Sequence, residues 1–500
     1  MKRLFLLLAT PLLAAPVCAQ SPGVHDAVGS ITEQDILTRI GVIAHDSMRG
    51  RDTPSPELDE VARYIAAEFR RFGLTPGGDD GGFIQRYPLR TVRLDVASST
   101  VSVPDGPTWR LGGEVIRHFG GMAPDGITGP AVLITGSEEA PDGLGGSLEG
   151  AIALVMFEFG PSSNAVFNSV QAASPAAVIL VTQRPDERWN QLVGRQGAER
   201  SSTAWAEASG APVIEIREPT LASTLAAHGV DVAAARARRG APITAQPIGG
   251  LELTVTLQET VVQDLSAPNV VGILRGSDPA LRDEYVVYSA HMDHVGVGQP
   301  VQGDSIFNGA DDDASGTVGV IELAEAFALL QPRPKRSMIF LTVSGEEKGL
   351  WGSEYFAANP PVPVEGIVAN LNADMIGRNW KDTIVVIGKE HSDLGATLER
   401  VNAAHPELNM TAIDDLWPDE NFYRRSDHFN FARKGVPILF FFNGTHDDYH
   451  RPSDEVAKID GEKEARIVKL MFYLGLEVAN TAERPKWNPE SYAEIVEGEQ

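Results

Sequence analysis

Histidine and carboxylate side chains cluster at five points in the second half of the chain. These segments are His291-Met292-Asp293-His294, residues 308–316 with three consecutive aspartates, Gly345-Glu346-Glu347, Asn372-Ala373-Asp374 and residues 445–450. Imidazole and carboxylate groups are ligands that suit zinc. Carboxylates massed together would repel one another unless cations neutralise them. The residue types therefore favour a metal centre.

Apolar runs with strand character precede four of these segments. They cover residues 285–289, 338–343, 367–371 and 437–442. Open α/β sheets bind ligands outside the carboxyl ends of their strands. We therefore expect the four strand ends to meet at one edge, joined by the aspartate triplet that opens a helix over 314–330.

The wider pattern predicts an α/β fold with helices on both faces of a mixed, mainly parallel sheet. Strand-like runs alternate with helical stretches after residue 265, including helices over 314–330 and 463–480. Another helix is predicted over 56–73, where Pro56 suits the first turn and Gly73 the C-terminal cap. We assign residues 25–114 and 256–485 to this three-layer domain.

The pattern of residues 115–255 differs from that of the flanking sequence and predicts a β-rich insert. Short β-type runs at 131–135, 152–157, 178–182 and 213–216 are separated by Gly, Pro, Ser and Asp clusters. Neither of the two histidines in this stretch lies near an acidic pair. We expect a separate module without the metal chemistry.

The first residues predict export. Lys2 and Arg3 precede an apolar run over 4–15, and a small-residue cleavage site follows, which is typical of a signal peptide over 1–19. We expect a periplasmic or extracellular protein without a membrane span, and lipidation at Cys18 is the weaker alternative. Since Cys18 is the only cysteine, no thiolate is left for a metal.

The charge balance excludes some partners. The formal net charge is −26, and loss of Lys2 and Arg3 would make it about −28. Nucleic acid and anionic membrane are therefore not expected as partners. The oligomeric state stays open.

Taken together and in this order, the five segments resemble the secreted co-catalytic di-zinc aminopeptidases. This family belongs to a superfamily that includes the glutamate carboxypeptidases and the transferrin receptor. The resemblance covers residues 265–480 most clearly, and the insert resembles a protease-associated (PA) domain. It implies a peptide substrate with a free amino terminus and two Zn²⁺ ions, with Co²⁺ or Mn²⁺ as substitutes.

The resemblance also implies a role for each site residue. The implied metal ligands are His291 and Asp374 for one zinc, Glu347 and His450 for the other, and Asp312 as the bridge. Glu346 would be the general base that takes a proton from a metal-activated water. Tyr449 would donate a hydrogen bond to the tetrahedral oxyanion.

Further residues are predicted around the metals or in the substrate pocket. They are Asp293, His294, Asp313, Ser426, Asp427, His428, Arg378 and Trp417. Asp293 is the expected carboxylate partner of His291. Asp313 is expected to set the backbone geometry of the bridging residue.

Three functions are compatible with these motifs. The first is an aminopeptidase. The second is a carboxypeptidase of acidic dipeptides or a glutaminyl-cyclase-like enzyme, in which Arg378, Arg424 or Arg425 would hold a substrate carboxylate. The third is a non-enzymatic receptor-like protein, which the intact set of ligand residues disfavours.

Overall fold

The computed structural model describes residues 22–138, 144, 146–157, 163–205 and 210–498. The predicted signal peptide over 1–19, with Cys18, lies outside the described residues. The chain folds as two compact units. The first combines Met1–Tyr87 with Ala267–Gln500, and the second is Pro88–Ser266.

Helices occur in both units. In chain order they are α1 (Pro22–Gly29), α2 (Glu33–Ile43), α3 (Pro56–Arg71), α4 (Ser163–Ala172), α5 (Asp186–Val193), α6 (Glu218–Ala227), α7 (Val232–Ala237), α8 (Gly316–Leu329), α9 (Trp351–Ala358), α10 (Leu394–Ala404), α11 (His428–Ala432), α12 (Gly461–Asn480) and α13 (Pro489–Tyr492). The three helices predicted from periodicity correspond to α3, α8 and α12.

Strands also occur in both units. In chain order they are β1 (Thr75–Pro76), β2 (Ile84–Leu94), β3 (Thr100–Ser102), β4 (Thr108–Arg110), β5 (Val115–Phe119), β6 (Ala123–Thr135), β7 (Ile152–Met156), β8 (Ala177–Thr182), β9 (Arg200–Thr203), β10 (Val213–Arg217), β11 (Thr244–Leu257), β12 (Glu259–Leu274), β13 (Tyr285–His291), β14 (Val297–Val301), β15 (Asp304–Ile306), β16 (Ser337–Val343), β17 (Ile367–Ala373), β18 (Thr383–Ile387), β19 (Thr411–Ile413) and β20 (Ile438–Phe441). Every strand run predicted above overlaps one of them.

The first unit is built on a mixed sheet with strand order β19-β18-β20-β17-β13-β16-β12. Its four central strands, β20, β17, β13 and β16, are parallel to one another. Antiparallel pairs flank them, β18 with β20 and β12 with β16. The mixed α/β fold predicted from the sequence is confirmed.

Successive residues of β13 contribute to different cores. Val286 and Tyr288 belong to one cluster, together with the apolar faces of α3, α8 and α12. Val287 belongs to a second cluster, which contains the phenylalanines of α9 and α11. Because neighbouring side chains of a strand point to opposite faces, this sheet is buried on both sides, as an α/β layer structure requires.

The second unit has its own sheet, with strand order β4-β3-β11-β6-β7-β8-β10-β5. The unit is wider than the predicted interval 115–255, because β3 and β4 pair with each other and β3 pairs with β11. It also contains helices α4 to α7. Among the described residues, no helix combines the length and apolar character needed to cross a membrane.

Candidate metal centre

The four parallel strands deliver the predicted site residues to one edge of the sheet. His291 is the last residue of β13, Asp374 follows β17, and Glu346 and Glu347 follow β16. His450 lies in the loop after β20, and Asp312 lies in the turn over Ala310–Ser315 that precedes α8. The carboxyl ends of parallel strands meet at one edge, so their spatial order brings these residues together.

Asp312 lies between two sets of donor atoms. Its Oδ1 is 3.3 Å from His291 Nε2, which in turn is 3.7 Å from Asp374 Oδ1. Its Oδ2 is 3.1 Å from His450 Nε2, which is 3.1 Å from Glu347 Oε2. Each carboxylate oxygen of Asp312 thus faces a different imidazole and a different second carboxylate.

The donor atoms fit zinc in type, spacing and lack of other partners. Tetrahedral zinc with ligand bonds of about 2.0–2.2 Å places neighbouring donors about 3.3–3.6 Å apart. In the described part of the chain, Asp312 Oδ2, Glu347 Oε1 and His450 Nε2 are buried without a hydrogen-bond partner. Buried polar groups are normally paired, so these atoms are suited to a cation.

Adjacent Glu346 and Glu347 have opposite electrostatic environments. Burial raises the pKa of Glu346 well above its usual range, and the neighbouring carboxylates of Asp374 and Asp427 add to this effect. Burial acts on Glu347 as well, but the imidazoles of His294 and His450 outweigh it and lower the pKa of Glu347 to about 2. One carboxylate is suited to carry a proton and the other to stay ionised as a ligand.

Asp293 and Asp313 connect the loops that hold the donors. The Nδ1 atom of His291 is 3.2 Å from the backbone oxygen of Asp293 and 3.6 Å from its Oδ1. The Asp293 carboxylate accepts hydrogen bonds from Thr53 Oγ1 and from the backbone N–H of Gly345, each at 2.8 Å. It therefore ties the His291 loop to the loop that contains Glu346.

Asp313 performs a similar task at the other side of the sheet edge. Its carboxylate accepts backbone N–H bonds from His291, Gly316 and Met375. It therefore fixes the position of the turn that contains Asp312 relative to two strand ends. The Asp312–Asp313 peptide bond is cis.

Two other polar side chains complete this support. Ser426 Oγ donates to Asp374 Oδ2 at 2.9 Å. The buried carboxylate of Asp454 accepts the backbone N–H groups of Asp311 and Asp312. Asp454 lies just after the segment 445–450, but nothing in the sequence indicated that it holds the turn that contains Asp312.

Arg51 is a buried residue that sequence reasoning missed. Its fully buried guanidinium donates to the backbone oxygens of Met292, Asn308, Gly309 and Asp312. It therefore holds together the loop after β13 and the turn before α8. No motif or periodicity in residues 45–52 pointed to this role.

A cleft beside the donors is partly apolar. Its lining comprises His291, Asp312, Glu346, Asp374, Met375, Phe422, Arg425, Ser426, Phe440, Phe442, Thr445, Tyr449 and His450. Tyr449 stacks on His450 with ring centroids 3.9 Å apart. Phe422, Phe440 and Phe442 form an apolar wall of the cleft, here called the phenylalanine wall. No sequence pattern distinguishes these residues from ordinary core.

The remaining predicted pocket residues do not line this cleft. His428 stacks on Phe440 and bonds the backbone oxygen of Tyr423, and burial lowers the pKa of His428 to about 3. Asp427 is fully buried, which raises its pKa to about 7. Arg378 pairs with Asp448 at 3.1 Å.

Trp417 packs against Phe422 and Phe442, and so lies behind the cleft wall. His294 lies among the metal-donor atoms, with its Nδ1 2.8 Å from Glu347 Oε1.

Comparison with known proteins agrees with this geometry. Residues 269–475 match the model of peptidase family M28. This stretch is therefore similar to M28 peptidases. The matched segment contains every predicted metal ligand and Glu346, whereas Arg51 and Thr53 lie outside it.

Similar sequences come from fungi. The chain is 27% identical over 328 residues to a probable zinc metalloprotease of Pyrenophora tritici-repentis, covering 57% of this chain and 65% of that protein. It is 28% identical over 229 residues to a probable leucine aminopeptidase of Arthroderma benhamiae, covering 44% of this chain and 60% of that protein. The chain thus spans less than two thirds of the length of these relatives.

A solved structure shares the fold. The aminopeptidase from Aneurinibacillus sp. strain AM-1 matches with a TM-score of 0.52 and 19% sequence identity. The match covers 92% of this chain and 97% of that one.

Proposed function

We propose that this protein is an exported two-zinc aminopeptidase that hydrolyses the first peptide bond of peptides with a free amino terminus. The observation that carries the proposal is the position of Asp312. Its two carboxylate oxygens face two separate donor pairs, and Glu346 lies beside them in the lining of the cleft. A bridging carboxylate with an adjacent free carboxylate is the arrangement that two-metal hydrolysis uses.

The chain's own residues divide the remaining tasks. His291, Asp374 and Asp312 would hold one zinc, and Glu347, His450 and Asp312 the other. When bound, zinc polarises a carbonyl oxygen and lowers the pKa of water. Glu346 takes the proton from the attacking water and returns it to the leaving amine, and burial makes its carboxylate a strong enough base to do so.

Tyr449 serves the oxyanion in this proposal. The residue belongs to the cleft lining, and burial near Asp312 and Glu347 raises its pKa well above the usual range. The phenol therefore stays protonated and can donate a hydrogen bond as negative charge develops on the carbonyl oxygen.

The composition of the cleft supports an amino-terminal substrate. Met375 and the phenylalanine wall offer an apolar surface for the first side chain. The match to a probable leucine aminopeptidase supports the same substrate class.

One observation favours the carboxypeptidase alternative. Arg425 belongs to the cleft lining, with its guanidinium 4.7 Å from the Phe422 ring centroid and its side chain 48% exposed. Such a cation is suited to a substrate carboxylate. Arg378 is less suited, because it donates a hydrogen bond to Asp448 at 3.1 Å, whereas Glu420 lies 3.6 Å from Arg425.

The experiment compares chromogenic substrates that carry either a free or an acetylated amino terminus, with and without a zinc chelator. An acidic dipeptide blocked at its amino end is the third substrate. Chelator-sensitive cleavage of the free form alone supports the aminopeptidase.

Cleavage of the blocked acidic dipeptide, lost in Arg425→Gln, would replace that proposal with the carboxypeptidase. Absence of cleavage in every arm, together with absence of bound zinc, would reject both enzymes.

A further inference from the structure

His294 lies in the metal centre in a position that its sequence motif does not explain. It follows His291 by three residues, and its side chain has no exposed surface. Both ring nitrogens lack a hydrogen-bond partner in the described part of the chain. Burying an imidazole without any partner costs free energy, so a built site of this kind calls for a ligand.

The Nδ1 atom of His294 points at the donors of one metal. It lies 2.8 Å from Glu347 Oε1 and 3.7 Å from Asp312 Oδ2. One donor atom each from His294, Asp312, Glu347 and His450 lie within 4.8 Å of one another. These four residues could therefore surround a single ion.

The contact between His294 Nδ1 and Glu347 Oε1 brings two buried atoms to 2.8 Å. Neither atom has a hydrogen bond of normal geometry in the described part of the chain. A close pair of this kind is suited to share a cation, and zinc binding distinguishes a ligand from a residue that only orients Glu347.

The backbone makes room for this imidazole. Gly309 has a left-handed conformation with φ +57, and a Cβ at this position would lie 2.5 Å from the His294 ring. A residue with a side chain could not occupy this position without displacing His294 or the turn over 310–315. The turn that contains Asp312 is thus built to leave space for the ring.

The opposite side of Asp312 has fewer available donors. His291 and Asp374 lie there, and Asp313 already accepts three backbone N–H bonds with its carboxylate. With Asp312 shared, a zinc ion on this side would have three protein donors and one open coordination position. Four protein donors would fill all positions of a tetrahedral zinc. The cleft lining includes both His291 and Asp374, whereas from the other donor set it includes His450 but neither His294 nor Glu347.

We propose that His294 Nδ1 is a fourth protein ligand of the zinc held by Glu347 and His450. This inference rests on the proposed two-zinc function and makes the two ions unequal. The ion with four protein ligands is retained tightly, and the ion held by His291 and Asp374 exchanges readily and faces the substrate. His294 acts through the metal and is a positioning residue.

The test measures zinc binding to the full-length protein with its activity set aside. Zinc content is determined after equilibration with a graded series of chelator concentrations, for the wild type, His294→Ala and His294→Asn. Asparagine can still donate a hydrogen bond to Glu347 but is a poor zinc ligand. His405→Asn is the matched control, because this imidazole stacks on Tyr473 and does not contact the site.

The wild type should release its two zinc ions in two separate steps. Both His294 variants should weaken the tighter step by more than about 100-fold, beyond the usual effect of losing an outer-shell partner. The looser step and the His405→Asn variant should change little. X-ray absorption of protein loaded with one zinc should show one imidazole fewer in His294→Asn.

Two results would overturn the assignment. Either unchanged zinc affinities in both variants, or recovery of the tighter step by His294→Asn alone, would leave His294 without a ligand role. Thermal unfolding of the zinc-free variants identifies any general loss of folding, and X-ray absorption of wild type and His294→Asn then decides the ligand count. A wild type that binds no zinc would instead reject the proposed function itself.

Discussion

Each of the two units contains a buried carboxylate next to histidine, but the two environments differ. In the second unit, Glu215 has no exposed side-chain surface, and its oxygens are bonded by Arg184, His118 and Thr182. In the first unit, Asp312 Oδ2 and the atoms around it are buried without hydrogen-bond partners. Similar residue types thus have hydrogen-bond partners in one unit and lack them in the other.

The difference separates a structural charge from a ligand site. Glu215 accepts two bonds from one guanidinium, at 2.8 Å each, and one from His118 at 2.9 Å. Its acceptor capacity is used within the protein, so no further ion is required. The carboxylates near Asp312 lack such cations, and a bound metal would stabilise them. Whether the buried polar atoms have hydrogen-bond partners distinguishes a structural charge from a ligand site better than residue type does.

The largest expected effect comes from removing the carboxylate that faces both donor sets. Asp312→Ala should release zinc and reduce activity by more than about 10⁴-fold, because both ions lose a shared ligand. Elemental analysis and a peptidase assay measure these effects. Retention of two zinc ions would contradict the bridging role. Glu399→Gln, an exposed carboxylate of the same unit, is the control.

The second largest effect distinguishes the proposed general base, Glu346, from the proposed metal ligands. Glu346→Gln should keep both metals but reduce kcat by about 10²–10⁴-fold, because the amide cannot accept the proton from water. The assay is run beside a zinc determination on the same sample. Full activity in this variant would mean that another group is the base.

The smallest effect concerns the hydrogen-bonded cluster around Glu215 in the second unit. Glu215→Gln should leave zinc content unchanged but lower the free energy of unfolding of the second unit by about 3–5 kcal/mol, because Arg184 loses a buried partner. Urea unfolding followed by the fluorescence of tryptophans in this unit measures the change. Unchanged stability would mean that the pair contributes no net energy.

The same pair predicts a pH dependence. Burial favours the neutral acid, but His118, Arg184 and Thr182 outweigh it and lower the pKa of Glu215 to about 2. Because the folded pKa lies below the unfolded value of about 4.3, the stabilisation is complete above that value and is lost as the pH falls toward 2. The difference between wild type and Glu215→Gln should therefore shrink over this range.

Much of the fold could be predicted because its strands are fully buried. Apolar runs such as 338–343 differ from the observed strand by one residue, since a parallel strand buried on both faces leaves a continuous apolar run in the sequence. The helix predicted over 314–330 begins at Gly316, because residues 310–315 form the turn that contains Asp312. Turn conformation was less predictable than strand existence.

The donors could be predicted, but much of what surrounds them could not. The bridging role of Asp312 stays a prediction. Its carboxylate faces both donor sets, whereas Asp311 accepts the backbone N–H of Gly377 and faces His446. In contrast, the support from Asp454 and the apolar wall of Phe422 and Phe440 depend on tertiary contacts. Such residues have no local pattern that differs from ordinary core.

The position of Arg51 has a consequence for how this site can be inherited. Its guanidinium binds four backbone oxygens of the metal-donor loops, yet it belongs to the segment before the second unit. The stretch that matches the peptidase family begins only at residue 269. A gene fragment limited to the matched stretch would therefore encode the donor loops without the Arg51 guanidinium that joins them. We therefore expect that transfer of this site to another chain needs the segments on both sides of the second unit.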